Sequence, residues 1–159
     1  MNQRVALVTG AAGGQGWAIA KRLRSEGYSV AGCDRRYEDL MALVEELGDA
    51  QVIGAELDVT SPPGWDAVVA RVVDRFGSLS TLVNNAGVLR RASLADETPE
   101  GFENSWRVNS LGAFLGIRAA LDRLREAPKR PSSTSAARER SARSPSTPPT
   151  VRRNGRCAD

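Results

Sequence analysis

Four short apolar runs, each followed by a segment of helical period, restrict this chain to few architectures. Arg4–Val8 is a buried-strand run that ends in Thr-Gly and a glycine-rich turn. Gly16–Glu26 then has helical character, with Ile19 and Leu23 on one face and Gly27 placed to end it. Tyr28–Cys33 reads as a second strand closed by Asp34, and Tyr37–Leu47 carries Leu40, Leu43, Val44 and Leu47 at helical spacing before Gly48. Gln51–Leu57 is a third strand closed by Asp58-Val59-Thr60. Trp65–Phe76 sets Val68, Val69, Val72, Val73 and Phe76 on one stripe, ahead of Gly77. Leu79–Val83 is a fourth strand, and a long helical stretch runs from about Glu100 to Glu126 with a break near Asn109. Alternating strands and helices imply a parallel sheet with right-handed crossovers. Strands this apolar are covered on both faces. The fold class predicted is a doubly wound parallel α/β sheet, Rossmann-like but incomplete.

Composition sharpens this when the chain is divided. Residues 1–127 carry 14 Lys+Arg against 17 Asp+Glu, whereas residues 128–159 carry eight basic and two acidic side chains. The tail also holds five of the eight prolines and no Leu, Ile, Phe, Trp, Tyr or Met. Such a segment cannot bury enough apolar area to offset its ordering entropy, so a disordered tail is expected beside a folded part at 1–127. The basic balance of the whole chain therefore says nothing about the folded part. The sequence has no histidine, which excludes a Ser-His-Asp triad and a His-based metal site. Cys33 and Cys157 make neither a disulfide framework nor a metal-ligand spacing, and no metal is expected. No apolar run approaches a membrane span and the start shows no signal-peptide layout, so a cytoplasmic protein with no membrane partner is expected.

In the turn Thr9-Gly10-Ala11-Ala12-Gly13-Gly14-Gln15-Gly16, glycines at 10, 14 and 16 sit between the first strand and the first helix. A pyrophosphate is bound in such a place by free backbone N–H groups and the positive end of the helix dipole. The spacing, G-x-x-x-G-x-G, departs from the usual G-x-G-x-x-G fingerprint, and an ordinary tight connection is the competing reading. Asp34 ends the second strand 18 residues beyond Gly16, where a carboxylate can accept both ribose hydroxyls of an adenosine. It would repel a 2′-phosphate, which favours NAD over NADP, while Arg35 and Arg36 beside it work against that choice.

Taken together, Thr9-Gly10-(x)3-Gly14-x-Gly16, Asp34, Leu57-Asp58-Val59, Asn84-Asn85-Ala86-Gly87 and Asn109 within "RVNSLGAF" resemble the short-chain dehydrogenase/reductase family in order and spacing. The resemblance covers residues 4–127, about four-fifths of the chain. It implies that Gly13 and Gln15 join the glycine turn in holding the cofactor, and that Asp58 and Val59 frame the adenine. It implies that Asn85, Ala86 and Gly87 line the exit of the fourth strand beside the nicotinamide ribose. Asn109 would be catalytic, holding a water in a proton relay. Taken singly, Asp58 is also a strand terminator, "NNAG" a good turn and Asn109 a helix cap. Trp17, Trp65 and Trp106 are assigned to packing or helix surface, and Phe114 and Leu115 to core or subunit interface.

The family's hydride transfer between nicotinamide and a secondary alcohol or ketone uses a Tyr as acid/base, a Lys four residues later and a Ser upstream. A nearby ammonium makes this physical sense, since an unperturbed phenol titrates near ~10. The chain has only Tyr28 and Tyr37, both in its nucleotide half. If the codons under residues 130–159 are read two nucleotides onward, with synonymous codons chosen freely, they can spell AVVNVSSAGALGALAQHAAYGASKWAVRG. The Tyr codon then straddles Pro149 and Thr150, and the Lys codon straddles Arg153 and Asn154. The second Ser falls 13 residues before that Tyr, so a frameshift near residue 128, between Glu126 and Pro131, is expected. The 159-residue chain is then expected to be inactive, with weak or no NAD binding. The recovered segment is similar to hydroxysteroid dehydrogenase-like and 3-oxoacyl-reductase-like members, which act on small-molecule secondary alcohols or ketones, commonly as tetramers. The resemblance thus implies a homo-oligomer, tetramer or dimer, for the intact form. A non-catalytic nucleotide-binding module is an alternative. A nucleic-acid-associated protein using the basic tail is disfavoured, because the tail lacks aromatics and a recognition fold.

Overall fold

The computed structural model describes residues 4–48 and 50–127; the expectations placed on 128–159, including the tail and the shifted frame, lie outside the described residues. Its sheet has four parallel strands: β1 (Val5–Thr9), β2 (Ser29–Asp34), β3 (Val52–Glu56) and β4 (Thr81–Val83), in the order β3-β2-β1-β4. Register pairs Val5 with Ser29 and Thr9 with Cys33, Asp34 with Glu56, and Val8 with Val83. The carboxyl ends of β1, β2 and β4 therefore come out on one rim. The helices are α1 (Gly14–Ser25), α2 (Tyr37–Leu47), α3 (Pro62–Phe76), α4 (Pro99–Trp106) and α5 (Gly112–Glu126).

Period-two alternation along the strands divides the core into two layers. Val5 and Leu7 of β1, with Ala31 and Cys33 of β2, point to a cluster containing Trp65, Val68, Val72 and Phe76 of α3 and Leu115 and Ala120 of α5. Val8 and Val30 point the other way, to Ala20 of α1 and Leu40, Leu43 and Val44 of α2. Ile19 and Leu23 pack against that second layer, as their spacing predicts. Both faces of β1 and β2 are thus covered, and the doubly wound parallel α/β class holds.

Element ends differ from the sequence reading in small, explicable ways. α3 begins at Pro62 rather than Trp65, because Ser61 accepts a hydrogen bond from the Gly64 N–H at 3.2 Å and prolines fit the first helical turn. β4 begins at Thr81 rather than Leu79; Leu79 is still fully buried, and the Ser80 hydroxyl fastens the chain to Val5 by accepting from its N–H and donating to its carbonyl. Trp65 is buried and donates its indole N–H to the Val59 carbonyl at 2.9 Å. Trp17 is half-buried, packing against the second core layer and donating its indole N–H to Glu46, and Trp106 is half exposed. Leu115 is core, whereas Phe114 is exposed.

The expected break near Asn109 takes a specific form. The chain stays helical from Pro99 to Glu126, but Arg107–Leu111 forms a single π-helical turn in which the Gly112 N–H donates to the Arg107 carbonyl. A π turn inserts one extra residue between α4, which buries no side chain, and α5, which packs on α3 and β4. α5 can approach closely because Gly112 and Gly116 carry no side chains. A Cβ at Gly112 would stand 2.8 Å from Val59, and one at Gly116 would stand 2.6 Å from Trp65.

Candidate functional site at the carboxyl rim of the sheet

β1 and β4 leave the sheet side by side, with crossovers leading to opposite faces. The crevice outside such strand ends is where open α/β sheets take ligands. Here it is a cleft of about 300 Å³ that brings together Gly10, Asp34, Asp58, Val59, Asn85, Ala86 and Gly87. Arg35, Arg36, Leu57, Val88 and Val108 complete its walls. A shallower extension continues along Asp34, Arg35, Arg36, Glu56 and Asp58.

Thr9 is almost fully buried beneath the cleft. Its hydroxyl accepts from the N–H groups of Asn85 and Ala86, both at 3.0 Å, and donates to the Val83 carbonyl at 3.3 Å. Asn85 returns the connection: its side-chain amide donates to the Thr9 carbonyl at 2.9 Å and to the Gly10 carbonyl at 3.3 Å. The two residues lock the glycine turn to the exit of β4. Thr9 therefore shapes the cleft without facing it.

The glycines have distinct reasons to be glycine. Gly10 has a left-handed φ of 67° and a Cβ there would stand 2.9 Å from the Asn85 amide nitrogen. A Cβ on buried Gly16 would collide with the Gly10 carbonyl. Gly14 also has a positive φ, 54°, but nothing lies within 4 Å of its missing side chain. Gly14 and Gln15 are exposed at the start of α1, Gly13 is half-buried beside Arg36, and none of the three walls the main cleft. α3 and α4 have hydroxyl caps at Ser61 and Thr98; α1 has no side-chain cap and no acidic residue in its first turn. Its leading N–H groups have no side-chain cap and nothing stands within 4 Å of the missing Gly14 side chain, an arrangement suited to an anion.

Asp34 is half-buried at the end of β2. One carboxylate oxygen accepts from the Ala12 N–H at 3.2 Å and the other from the Arg36 N–H at 3.0 Å. Asp58 forms an Asx turn, accepting from the Thr60 N–H at 2.9 Å and from its hydroxyl at 2.8 Å. These bonds, with a smaller contribution from the Arg35 charge, hold its carboxyl below the usual range against a mild desolvation penalty. Val59 is buried at the cleft's edge.

Asn109 sits in the π turn and turns its side chain onto the loop after β4. Its Oδ1 accepts from the Val88 N–H at 2.8 Å and its Nδ2 donates to the Val88 carbonyl at 3.0 Å. Both ends of the amide thus clip Val88 into place, and Gly87 leaves room for it. Sequence reasoning missed Val88 and Val108 as cleft walls. The signal available was Val108 adjoining Asn109; within the π turn it is half-buried at the cleft wall.

Tyr28 lies just before the other end of β2, where Arg4 stacks over it with its guanidinium carbon 4.4 Å from the ring centre; Tyr37 opens α2 next to Arg36 but is not among the cleft's walls. Among the described residues no cluster of His, Cys, Asp or Glu could hold a metal, and no helix is long and apolar enough to cross a membrane.

The family model for short chain dehydrogenase matches residues 4–131. The chain belongs to the short-chain dehydrogenase/reductase family. Among curated relatives, it is 40% identical over 125 residues to the 2,5-dichloro-2,5-cyclohexadiene-1,4-diol dehydrogenase LinX of Sphingobium indicum, covering 76% of this chain and 49% of that protein. It is also 40% identical over 124 residues to a 3-alpha-(or 20-beta)-hydroxysteroid dehydrogenase of Mycobacterium bovis, with 78% of this chain and 47% of the relative covered. Among solved structures, the Brucella melitensis 3-ketoacyl-(acyl-carrier-protein) reductase complexed with NADH superposes with a TM-score of 0.74 at 31% identity, over 77% of this chain and 51% of that one. The Thermococcus sibiricus alcohol dehydrogenase complexed with 5-hydroxy-NADP gives 0.74 at 33%, over 79% and 55%. The chain spans about half the length of the curated relatives it matches. The family is one of oxidoreductases, and these structural neighbours bind NADH and an NADP analogue.

Proposed function

We propose that the carboxyl-rim cleft is the cofactor half of an oxidoreductase site that takes NAD in preference to NADP. One observation carries this reading: the glycine turn, the Asp34 carboxylate, Asp58 and the 85–87 segment come from four separate stretches of chain and meet at one cleft. The residues fit a dinucleotide. Open space at Gly14 and the uncapped start of α1 suit the pyrophosphate, and Asp34 suits the adenosine ribose hydroxyls. Asp58 and Val59 would border the adenine, and Ala86 and Gly87 the nicotinamide ribose. When bound, the nicotinamide would supply the hydride acceptor or donor. Thr9 and Asn85 hold the two halves of the cleft in register. Because the Asn109 side chain is engaged on Val88, a water in the relay would have to meet the main chain of the π turn.

The substrate class supported by the relatives is a small secondary alcohol or ketone. The acid/base side of the reaction is a different matter. Neither tyrosine of the chain is among the cleft's walls, and the match to the family model stops at residue 131. We read residues 128–159 as out-of-frame sequence that replaces the segment carrying Ser, Tyr and Lys, with 1–127 as the cofactor-holding part. The intact counterpart would be a homo-oligomer. Exposed Phe102, Trp106, Phe114 and Ile117 along α4 and α5 support a face that meets another subunit.

The test is a titration of the 159-residue chain with NADH, run beside a turnover assay with secondary alcohols and ketones. Weak saturable binding with no turnover is expected. Oxidation of a secondary alcohol at ordinary dehydrogenase rates would overturn the inactive reading, and no binding at millimolar NADH would overturn the cleft assignment. Sequencing the DNA under Pro149–Asn154 should reveal tyrosine and lysine codons out of phase.

A further inference from the structure

Arg36 follows Asp34 by two residues and walls the same cleft, yet its charge is already committed. Its Nη1 lies 3.1 Å from the carboxylate of Asp39 in the first turn of α2, and its Nε lies 3.7 Å from the carboxylate of Asp34. The guanidinium also reaches toward the glycine turn: Nη2 is 3.7 Å from where a Cβ on Gly13 would stand. An arginine so placed stands between Asp34 and the glycine turn, the groups that would hold the adenosine ribose and the pyrophosphate. Were it free, its planar fork would suit a 2′-phosphate, which brings nearly two negative charges.

We propose that Asp39 is a specificity-determining positioning residue that keeps Arg36 paired with carboxylates and so withholds it from a 2′-phosphate. The proposal rests on the cleft being a dinucleotide site and adds to Asp34 a second determinant outside the cleft wall. Asp39 touches no part of the cleft itself. It acts through Arg36. To bind NADPH, the guanidinium must exchange its 3.1 Å partner for the phosphate while Asp34 still repels that phosphate. NADH asks for no such exchange. Without Asp39, Arg36 retains only the longer contact to Asp34 and can turn to the phosphate.

The experiment is calorimetric titration of the 159-residue chain and its variants with NADH and NADPH at low salt. In Asp39→Asn, NADPH affinity should rise about three- to fivefold, the scale of an exposed ion pair, while NADH affinity stays within about twofold. Asp39→Glu keeps the counter-ion and should hold the NADH/NADPH ratio at the wild-type value. Combining Asp39→Asn with Arg36→Gln should abolish the gain. An unchanged ratio in Asp39→Asn, or a gain that survives loss of Arg36, would overturn the role of Asp39 while leaving the cleft assignment in place. Wild-type chain that binds neither nucleotide would overturn both, and a circular-dichroism melt of each variant shows whether it is folded when titrated.

Discussion

At the scale of single residues, two glycines two positions apart should behave differently. Gly16→Ala drives a methyl into the Gly10 carbonyl and the Asn85 amide, groups held by the backbone of β1 and by Thr9, so neither can yield cheaply. It should cost about 3 kcal/mol by urea unfolding, the upper range for overpacking. Gly14→Ala meets no atoms and bears only the strain of its positive φ, about 1 kcal/mol. Equal losses in the two variants would contradict this account of the turn. Cys33 offers a pH test. Full burial, the dominant cause, pushes its thiol up to about 12, against a smaller lowering from the Arg71 charge and with the least contribution, a raising one, from Asp34. The unfolded thiol ionises near the ordinary 9.0, so between these values the unfolded chain binds fewer protons and stability falls as pH rises. Below about 9 the contribution is fully present. Unfolding free energy of wild type should therefore drop more steeply above pH 9.0 than that of Cys33→Ala. Parallel pH profiles for the two proteins would refute it.

At the scale of elements, α5 lies close to the sheet because glycines at 112 and 116 admit Val59 and Trp65. Gly116→Val should force α5 outward and cost about 3 kcal/mol by urea unfolding, since the atoms it meets belong to the buried Trp65 ring. Asn109→Ala leaves α5 seated but removes both bonds to Val88, so amide exchange at Val88 should quicken while the β1 amides stay protected. Much at this scale was legible in advance. Leu40, Leu43, Val44 and Leu47 set α2 at its observed bounds, because a single stripe with Gly48 after it admits one helix. Asp34 at the end of β2 was equally legible from strand length. The π turn was not. One inserted residue leaves helical composition intact, so the sequence shows only an asparagine where a break is plausible, not that its amide will clip Val88. Nor could spacing show that Thr9 lies under the cleft rather than in it, since that depends on which strand face its side chain takes beside β4.

At the scale of the whole molecule, β4 pairs with β1 on one side, and its other side has no strand partner among the described residues. Thr81, Leu82 and Val83 are each only half-buried, which marks an edge that natural sheets cover. With the apolar stripe on α4 and α5, this predicts concentration-dependent self-association of the 159-residue chain in sedimentation velocity, reduced by Ile117→Glu on the helix face. A chain that stays monomeric at high concentration would contradict that reading of the surface. On the proposed reading, the groups that would hold the cofactor lie on this rim, and the acid/base groups would come from a segment read in another frame beneath residues 128–159. The most direct test of the central claim is an NADH titration followed by amide NMR shifts residue by residue. The account predicts saturable shifts concentrated at Gly10, Gly14, Asp34, Asp58 and Ala86–Val88. Shifts absent at millimolar NADH, or centred on α2 and α3 away from that rim, would contradict it.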